Sequence, residues 1–358
     1  MSTTVAIPIS GQRERGRTAQ DQMDALTHAL VADLHAPRPM RFWTDMLCSA
    51  AIGWSAFGLA AARPLSPGML GLCAIAGFAL YRGVCFTHEL AHLRRRAVRG
   101  FETAWNILFG VPLLLPSFTY VGVHKDHHSL STYGTKADPE YLPFATSRRM
   151  MLAFGVQSAV LLPLLMMSRF LVLAPVGLVW PRFHHWLAAH ASSFAMNPAY
   201  RRDVSPELER HIRRWEVVIL AAWAVPLALM AIGKMPARIL LIWVGVVIFI
   251  SLLNTIRVLG AHEYESDGNP LTRHGQLQDS IDTPGGPWTE LWAPVGLRYH
   301  ALHHYLPGIP YHNLGEGYRR IVEGLPSSSS YGESTSPSLR RSLTTLYDKA
   351  KRARRAVR

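Results

Sequence analysis

The chain has 358 residues, of which 49% are hydrophobic and only 17% charged, against roughly 25% charged in a soluble domain. Its formal net charge is +13, but the basic residues flank apolar runs rather than stacking aromatics, which argues against nucleic acid and for an anionic lipid surface. The three cysteines, Cys48, Cys73 and Cys85, form no CxxC pair, so neither a disulfide framework nor a thiolate metal site is expected.

Residues 1–40 are polar and carry no apolar segment followed by a cleavage site, so we interpret them as a cytosolic arm without a signal peptide. The apolar run 42–62 is long enough to cross a bilayer. A turn at 63–68 and a second run at 69–86 follow. This pattern predicts a transmembrane helical hairpin.

A second hairpin of the same form is predicted farther along the chain. Its arms are residues 215–232 and 239–256, and its turn is 233–236. Arginines follow the first hairpin and precede the second one, and this basic bias marks the cytoplasmic side of a membrane. We therefore expect an all-α integral membrane protein whose functional face is cytoplasmic.

Two apolar stretches lie between the hairpins. Residues 105–116 are too short to span and contain Pro112 and Pro116, so we expect an interfacial or re-entrant segment. Residues 150–180 are long enough, but Arg169 and Pro175 interrupt them. We favour two shallow interfacial helices for this stretch over a further pair of spans.

The end of the chain changes in character. A serine run at 327–330 is typical of a linker, and leucines at helical spacing among many arginines in 339–355 predict a basic amphipathic helix on lipid; a disordered basic tail is the alternative. The chain is thus divided into a cytosolic arm (1–40), a membrane domain (41–320) and a linker with a basic tail (321–358). Removal of 326–358 is expected to leave the functional site intact.

The 17 histidines are not scattered. His88 and His92 are four residues apart, which places both imidazoles on one face of a helix. Two HxxHH clusters repeat this arrangement, and a lone histidine follows the second hairpin. The histidines of these four groups are His88, His92, His124, His127, His128, His262, His300, His303 and His304.

A single histidine is more often a surface residue than a ligand, but several clusters beside hydrocarbon indicate function. Imidazole suits Zn, Fe, Cu and Ni. Nine imidazoles are too many for one ion and suit two ions that keep open positions. Two redox-active irons can together handle O2, which zinc cannot do.

The order HxxxH, HxxHH, lone His and HxxHH on two hairpins resembles the membrane fatty-acid desaturase and hydroxylase superfamily. The resemblance extends to the residues after the second box, Tyr133-Gly134-Thr135 and Asp138-Pro139-Glu140, and to those between Leu306 and Leu314. It implies a helical membrane anchor with interfacial helices, and a cytosolic cap that holds a diiron centre. The nine histidines named above would be its ligands.

The resemblance also implies an activity. Two Fe ions would use O2 as co-substrate to oxidise an unactivated C–H bond of a fatty-acyl chain, with desaturation as the leading reaction and hydroxylation as the alternative. The sequence shows no fused haem or iron–sulfur module, so an external electron donor such as a ferredoxin or a cytochrome is expected. Such donors are often acidic, which suits a basic cytosolic face.

Two other functions, a zinc protease and a metal transporter, would explain part of the histidine pattern. The residues His88-Glu89-Leu90-Ala91-His92 also match HExxH, in which two histidines bind zinc and the glutamate is the general base of a protease. That interpretation leaves both HxxHH clusters unexplained. A histidine-rich metal transporter would need ligands near the bilayer midplane, whereas these lie at helix ends.

Several other polar residues receive specific expectations. Asp138 and Glu140 either orient ligand imidazoles or only cap a turn. His312 is expected to anchor its loop. Asn254 lies one helical turn further from His262 than a direct contact favours, so its contact with this ligand is an open question. Surface or interfacial positions are expected for His28, His35, His184, His185, His190, His211 and His274.

Overall fold

The computed structural model describes residues 21–94, 96–326 and 329–356, and these contain helices and isolated β-bridges but no strand. A helical segment at 21–30 comes first. The α-helices that follow it are α1 (Pro39–Ala61), α2 (Pro67–His92), α3 (Phe101–Trp105), α4 (Val123–His127), α5 (Arg148–Val179), α6 (Pro181–His190), α7 (Pro206–Ala231), α8 (Arg238–Leu259), α9 (Arg273–Asp279), α10 (Thr289–Trp292), α11 (His300–Tyr305), α12 (Tyr311–Gly324) and α13 (Leu339–Ala356).

Four of these helices, α2, α5, α7 and α8, are long and apolar enough to cross a membrane. The predicted arms 69–86 and 239–256 lie within α2 and α8, and the arm 215–232 lies in α7 except for its last residue. Helix α1 packs along α2 but is not in this set. The chain is thus an integral membrane protein, and a first hairpin made of two spans remains a prediction.

Helix α5 corrects the expectation of two shallow helices in 150–180. It is one helical segment of 32 residues, in which the wider π-helical turns Gln157–Leu161 and Ser168–Leu173 interrupt the α-helix. Pro163 and Pro175 each lie at the start of the α-helical turn that follows, where a missing N–H is tolerated. Arg169 is buried in the second π-helical turn, so its charge does not face lipid.

The short stretch 105–116 is mostly buried among the long helices. It contains a π-helical turn, Asn106–Gly110, and approaches α2 so closely that a Cβ on Gly83 would lie 2.0 Å from the Phe109 ring. Glycine at this position therefore permits the contact.

Tryptophan side chains satisfy the carbonyl groups that this irregular stretch exposes. The indole N–H groups of Trp54, Trp223 and Trp243 donate to the carbonyl oxygens of Leu108 (2.8 Å), Val111 (3.0 Å) and Pro112 (2.9 Å). Non-helical backbone at membrane depth is stable only where protein groups satisfy it in this way. The stretch is therefore held by three different helices, and its re-entrant position in the membrane stays a prediction.

The C-terminal residues pack on the rest of the fold. Leu346 is buried in a cluster with Tyr141, Phe144 and Tyr264, and Leu339 contacts Gly260. Lys349 forms an ion pair with Glu263. Helix α13 is thus packed against the rest of the fold. Its outer face is basic, and binding of this face to a lipid surface stays a prediction.

Candidate metal centre

All nine histidines of the predicted set converge at one end of the helical bundle. His88 and His92 occupy the last turn of α2, and the second box lies on α4 and the residue after it. His262 follows the end of α8, and the third box forms α11. Seven of the nine side chains are buried, and only His92 and His128 are partly exposed. Segments as far apart in the chain as His92 and His303, which 211 positions separate, thus meet in one site.

Within this site the histidines form two groups, in each of which the potential ligand atoms lie within 4.8 Å of one another. One group combines residues of all three boxes: His88, His92, His124, His128 and His303. The other consists of His127, His262, His300 and His304. Each group could hold one metal ion.

The ring nitrogens point at one another in a way that suits cations. Nε2 of His303 lies 3.1 Å from Nε2 of both His92 and His128, and Nε2 of His300 lies 2.9 Å from Nε2 of His262. A neutral imidazole has one N–H and one lone pair, so protons cannot satisfy so many convergent nitrogens. His88 has no hydrogen-bond partner on either ring nitrogen within the described residues.

The protonation states also favour metal binding, which requires neutral imidazole. Burial, reinforced by neighbouring histidines, lowers the pKa of most of these side chains well below the ordinary value: His124, His128, His300, His303 and His304. For His127 the effect of burial is outweighed by the Asp138 carboxylate, which raises its pKa. The donor set fits two transition-metal ions of the imidazole-preferring class.

Carboxylates fix the orientation of several candidate ligands. Asp138 Oδ1 lies 2.9 Å from His127 Nδ1, and Glu140 Oε1 lies 2.7 Å from His124 Nδ1. Each contact leaves the Nε2 of the same ring directed at the histidine group. Of the two roles considered for Asp138 and Glu140, the structure supports orientation of the imidazoles.

A third carboxylate was not recognised from sequence. The Tyr133 hydroxyl lies 2.9 Å from His262 Nδ1 and donates to Asp279 Oδ2 at 2.8 Å. Asp279 also accepts a hydrogen bond from Tyr141. No local pattern relates these residues, because 146 positions separate Tyr133 from Asp279.

Asp282 anchors the helix of the third box. Its Oδ1 accepts backbone N–H groups from Ala301 (2.8 Å) and Leu302 (3.2 Å) at the start of α11. Its Oδ2 accepts the hydroxyl of Tyr331 at 2.8 Å, and its backbone pairs with Ser334 and Ser336. The segment 329–336 therefore supports the histidines, in contrast to the expectation that 326–358 is dispensable.

Glu89 does not belong to either histidine group. Its Oε2 accepts the backbone N–H of Tyr311 at 3.0 Å, and its Oε1 lies 3.9 Å from His88 Nδ1. We expect Glu89→Gln to retain metal and to keep reduced but measurable oxidase activity, within about tenfold of wild type, because an amide oxygen can still accept from Tyr311. Metal content and lipid product per metal ion measure this.

The same variant tests the protease alternative, in which the glutamate is the general base. Cleavage of a membrane peptide without O2 by the wild-type protein, abolished in Glu89→Gln, would establish that alternative. Full loss of lipid oxidation with metal retained would instead show that Glu89 acts in the oxidation.

A cavity of about 470 Å³ adjoins the histidines. His88, Tyr120 and Glu140 line it where it meets the metal centre, and apolar side chains of α5 and α8 such as Leu162 and Ile250 line much of the rest. Gln157 and Leu165 line it too and are exposed on the outer face of α5. The cavity therefore connects the histidine groups with the side of the bundle.

The remaining predicted positions fall outside the two groups. Asn254 lines the cavity and accepts from Arg257 at 3.0 Å. His312 lies in the first turn of α12 rather than in a loop, and it accepts the backbone N–H of Arg38 at 3.0 Å, which ties the start of α12 to the start of α1. The interfacial position expected for His184 is wrong. This side chain is fully buried between Glu209 and Glu216.

Comparison with known proteins agrees with this geometry. The family described as "Fatty acid desaturase" matches residues 64–334, a range that contains all nine histidines. A protein of Caulobacter vibrioides (strain NA1000 / CB15N) called "Ceramide hydroxylase" is 37% identical over 336 residues, which cover 92% of this chain and 95% of that protein. The chain therefore belongs to the fatty acid desaturase family and is an oxidoreductase of the membrane desaturase and hydroxylase superfamily.

Proposed function

We propose that the chain is a diiron hydroxylase of ceramide-type lipids. The observation that carries the proposal is the juxtaposition of two histidine groups with a largely apolar cavity that ends at His88. One iron would occupy each group, with the nine histidines as ligands. Irons bound there would supply the activation of O2 that oxidation of an unactivated C–H bond requires.

We favour hydroxylation over desaturation because the similar protein from Caulobacter is called "Ceramide hydroxylase". Desaturation remains the second candidate, since the family description itself refers to desaturases. Both reactions remove hydrogen from a methylene group, and they differ in whether an oxygen atom stays on the product.

The protein's own residues position the lipid and exclude water. Leu162, Leu165 and Ile250 provide apolar contacts for an alkyl chain whose reacting carbon faces His88. Glu140 lies at the same end of the cavity, and burial raises its pKa to about 7. A carboxyl group with this pKa can hold or release a proton beside Tyr120, whose hydroxyl donates to it at 3.0 Å.

The membrane domain is proposed to be 41–320, with 1–40 as a cytosolic arm and 321–358 as a tail that packs against it. The metal centre would face the cytoplasm, because three exposed arginines, Arg94, Arg96 and Arg99, follow the end of α2. Such a basic surface suits an acidic external electron donor, a ferredoxin or a cytochrome.

Product analysis tests the reaction. The purified, iron-loaded protein is given ceramide, a ferredoxin with its reductase, and heavy-isotope O2. We expect a product that is heavier by one labelled oxygen atom. A product lighter by two hydrogens and without label would establish desaturation. Absence of any ceramide product, with oxidation of another acyl lipid, would refute ceramide as the substrate.

A further inference from the structure

The cavity beside the metal centre has a largely apolar wall, but five of its residues carry buried polar atoms without a hydrogen-bond partner in the described part of the chain: Thr87, His88, Arg169, Ser193 and Arg257. Arg169 lines it with only 3% of the residue exposed, and its Nη1 has no hydrogen-bond partner within the described part of the chain. The Ser193 hydroxyl lines it as well and is likewise buried without a partner there. A buried donor without an acceptor is costly, so these groups indicate a missing ligand.

Three hydrogen bonds on the other side of the guanidinium group fix the orientation of Arg169. Its Nε donates to the carbonyl oxygen of Ala191 at 3.0 Å, and its Nη2 donates to Ser192 Oγ at 2.7 Å and to Glu216 Oε1 at 2.5 Å. These bonds occupy three N–H groups, and the two on Nη1 remain. Ser193, which lines the same cavity, directly follows the Ser192 that Arg169 binds.

The charge of Arg169 is already neutralised. Glu216 is fully buried and pairs with Arg169 through one oxygen and with His184 Nε2 through the other, at 2.9 Å. A further anion would therefore gain little net attraction and would have to be desolvated. A neutral oxygen acceptor is the ligand that this subsite can bind, which argues against a phosphate or a carboxylate.

We propose that Arg169 Nη1 and Ser193 Oγ bind the amide carbonyl oxygen of a ceramide-type lipid, whose alkyl chain lies in the same cavity and reaches His88. The inference rests on the proposed function and extends it to substrate recognition. A lipid fixed at this point presents one particular stretch of its chain to the metal centre. The subsite therefore selects the substrate class and the carbon that is oxidised.

The test compares ceramide with its thioamide analogue, in which a poorer acceptor, sulfur, replaces the carbonyl oxygen at nearly the same shape. Binding of the two radiolabelled lipids to the full-length, iron-loaded protein in lipid nanodiscs is measured without reductant, so that no turnover occurs. The wild type should bind ceramide about tenfold more tightly than the thioamide. The double variant R169M/E216Q, which keeps the site neutral, should retain only the part of this discrimination that Ser193 provides, about threefold.

Controls separate recognition from folding. R182M removes an exposed arginine of α6 and should discriminate as the wild type does. Iron content and melting temperature of R169M/E216Q should match the wild type; if this variant does not fold, S193A should still reduce the discrimination by about threefold. During turnover, either variant should spread the hydroxyl group over several carbons.

Two results would overturn the subsite and leave ceramide hydroxylation intact. One is equal binding of the two lipids by the wild type. The other is unchanged discrimination in both R169M/E216Q and S193A. Oxidation of another lipid by a wild-type protein that does not bind ceramide would overturn the proposed function, and the subsite with it.

Discussion

Replacement of His303 by alanine is expected to lower turnover at least about a hundredfold and to reduce iron from about two atoms per chain to about one. Nε2 of His303 lies 3.1 Å from the corresponding atoms of His92 and His128, so this ring is central to the five-histidine group. Its removal takes away a proposed ligand and leaves the neighbouring rings without a fixed arrangement. Elemental analysis and lipid product per chain measure both effects.

The matched control is His28→Ala, since His28 is exposed and lies outside both histidine groups. This variant should keep its iron and its activity. Full activity of His303→Ala would remove that residue from the metal centre. Stoichiometric zinc with no iron in the wild type, after expression in iron-rich medium, would refute the diiron proposal itself.

Truncation after residue 325 is expected to remove most of the iron, to below about a tenth of the wild-type content. The deletion takes away the Tyr331 hydroxyl and the backbone partners of Asp282 in 334–336. Each buried polar group left without a partner costs about 1–3 kcal/mol, and several such losses are comparable to the total stability of a protein. Asp282 would then no longer fix the start of α11, which carries three of the nine histidines.

A shorter truncation after Ala350 serves as the control, because it keeps Tyr331, Leu346 and Lys349 in their contacts. It should retain iron and activity. Helical content by circular dichroism shows whether the longer truncation loses the site alone or the whole fold. A truncation after 325 that binds iron and turns over normally would show that the tail is dispensable after all.

The histidine groups could be predicted from sequence because their spacing is itself the consequence of helical geometry. His124, His127 and His128 must lie on one face of a helix, and so must His300, His303 and His304. The orienting residues Asp138 and Glu140 lie close behind the second box and could be suggested. Asp279 could not, because its relation to Tyr133 and His262 exists only in the folded chain.

Helix α5 was misjudged for a similar reason. A lone charge in an apolar run argues against a span, so Arg169 favours two shallow helices when the sequence is considered alone. The residues that neutralise it, Glu216 and His184, lie on other helices, and no spacing in the sequence connects them. The π-helical turn that directs Arg169 inward has no sequence signature either.

The tryptophan contacts with the re-entrant stretch have a consequence for biogenesis. The carbonyl groups of Val111 and Pro112 are satisfied by Trp223 and Trp243, which the ribosome synthesises more than a hundred residues later. Until α7 and α8 have been inserted, the Pro112 carbonyl lacks its indole donor and the Val111 carbonyl has only the backbone N–H of Leu114, at 3.3 Å; exposure of such groups to hydrocarbon would be costly. We therefore expect the stretch 105–116 to stay near water during synthesis and to pack into the bundle only after α7 and α8 have been inserted.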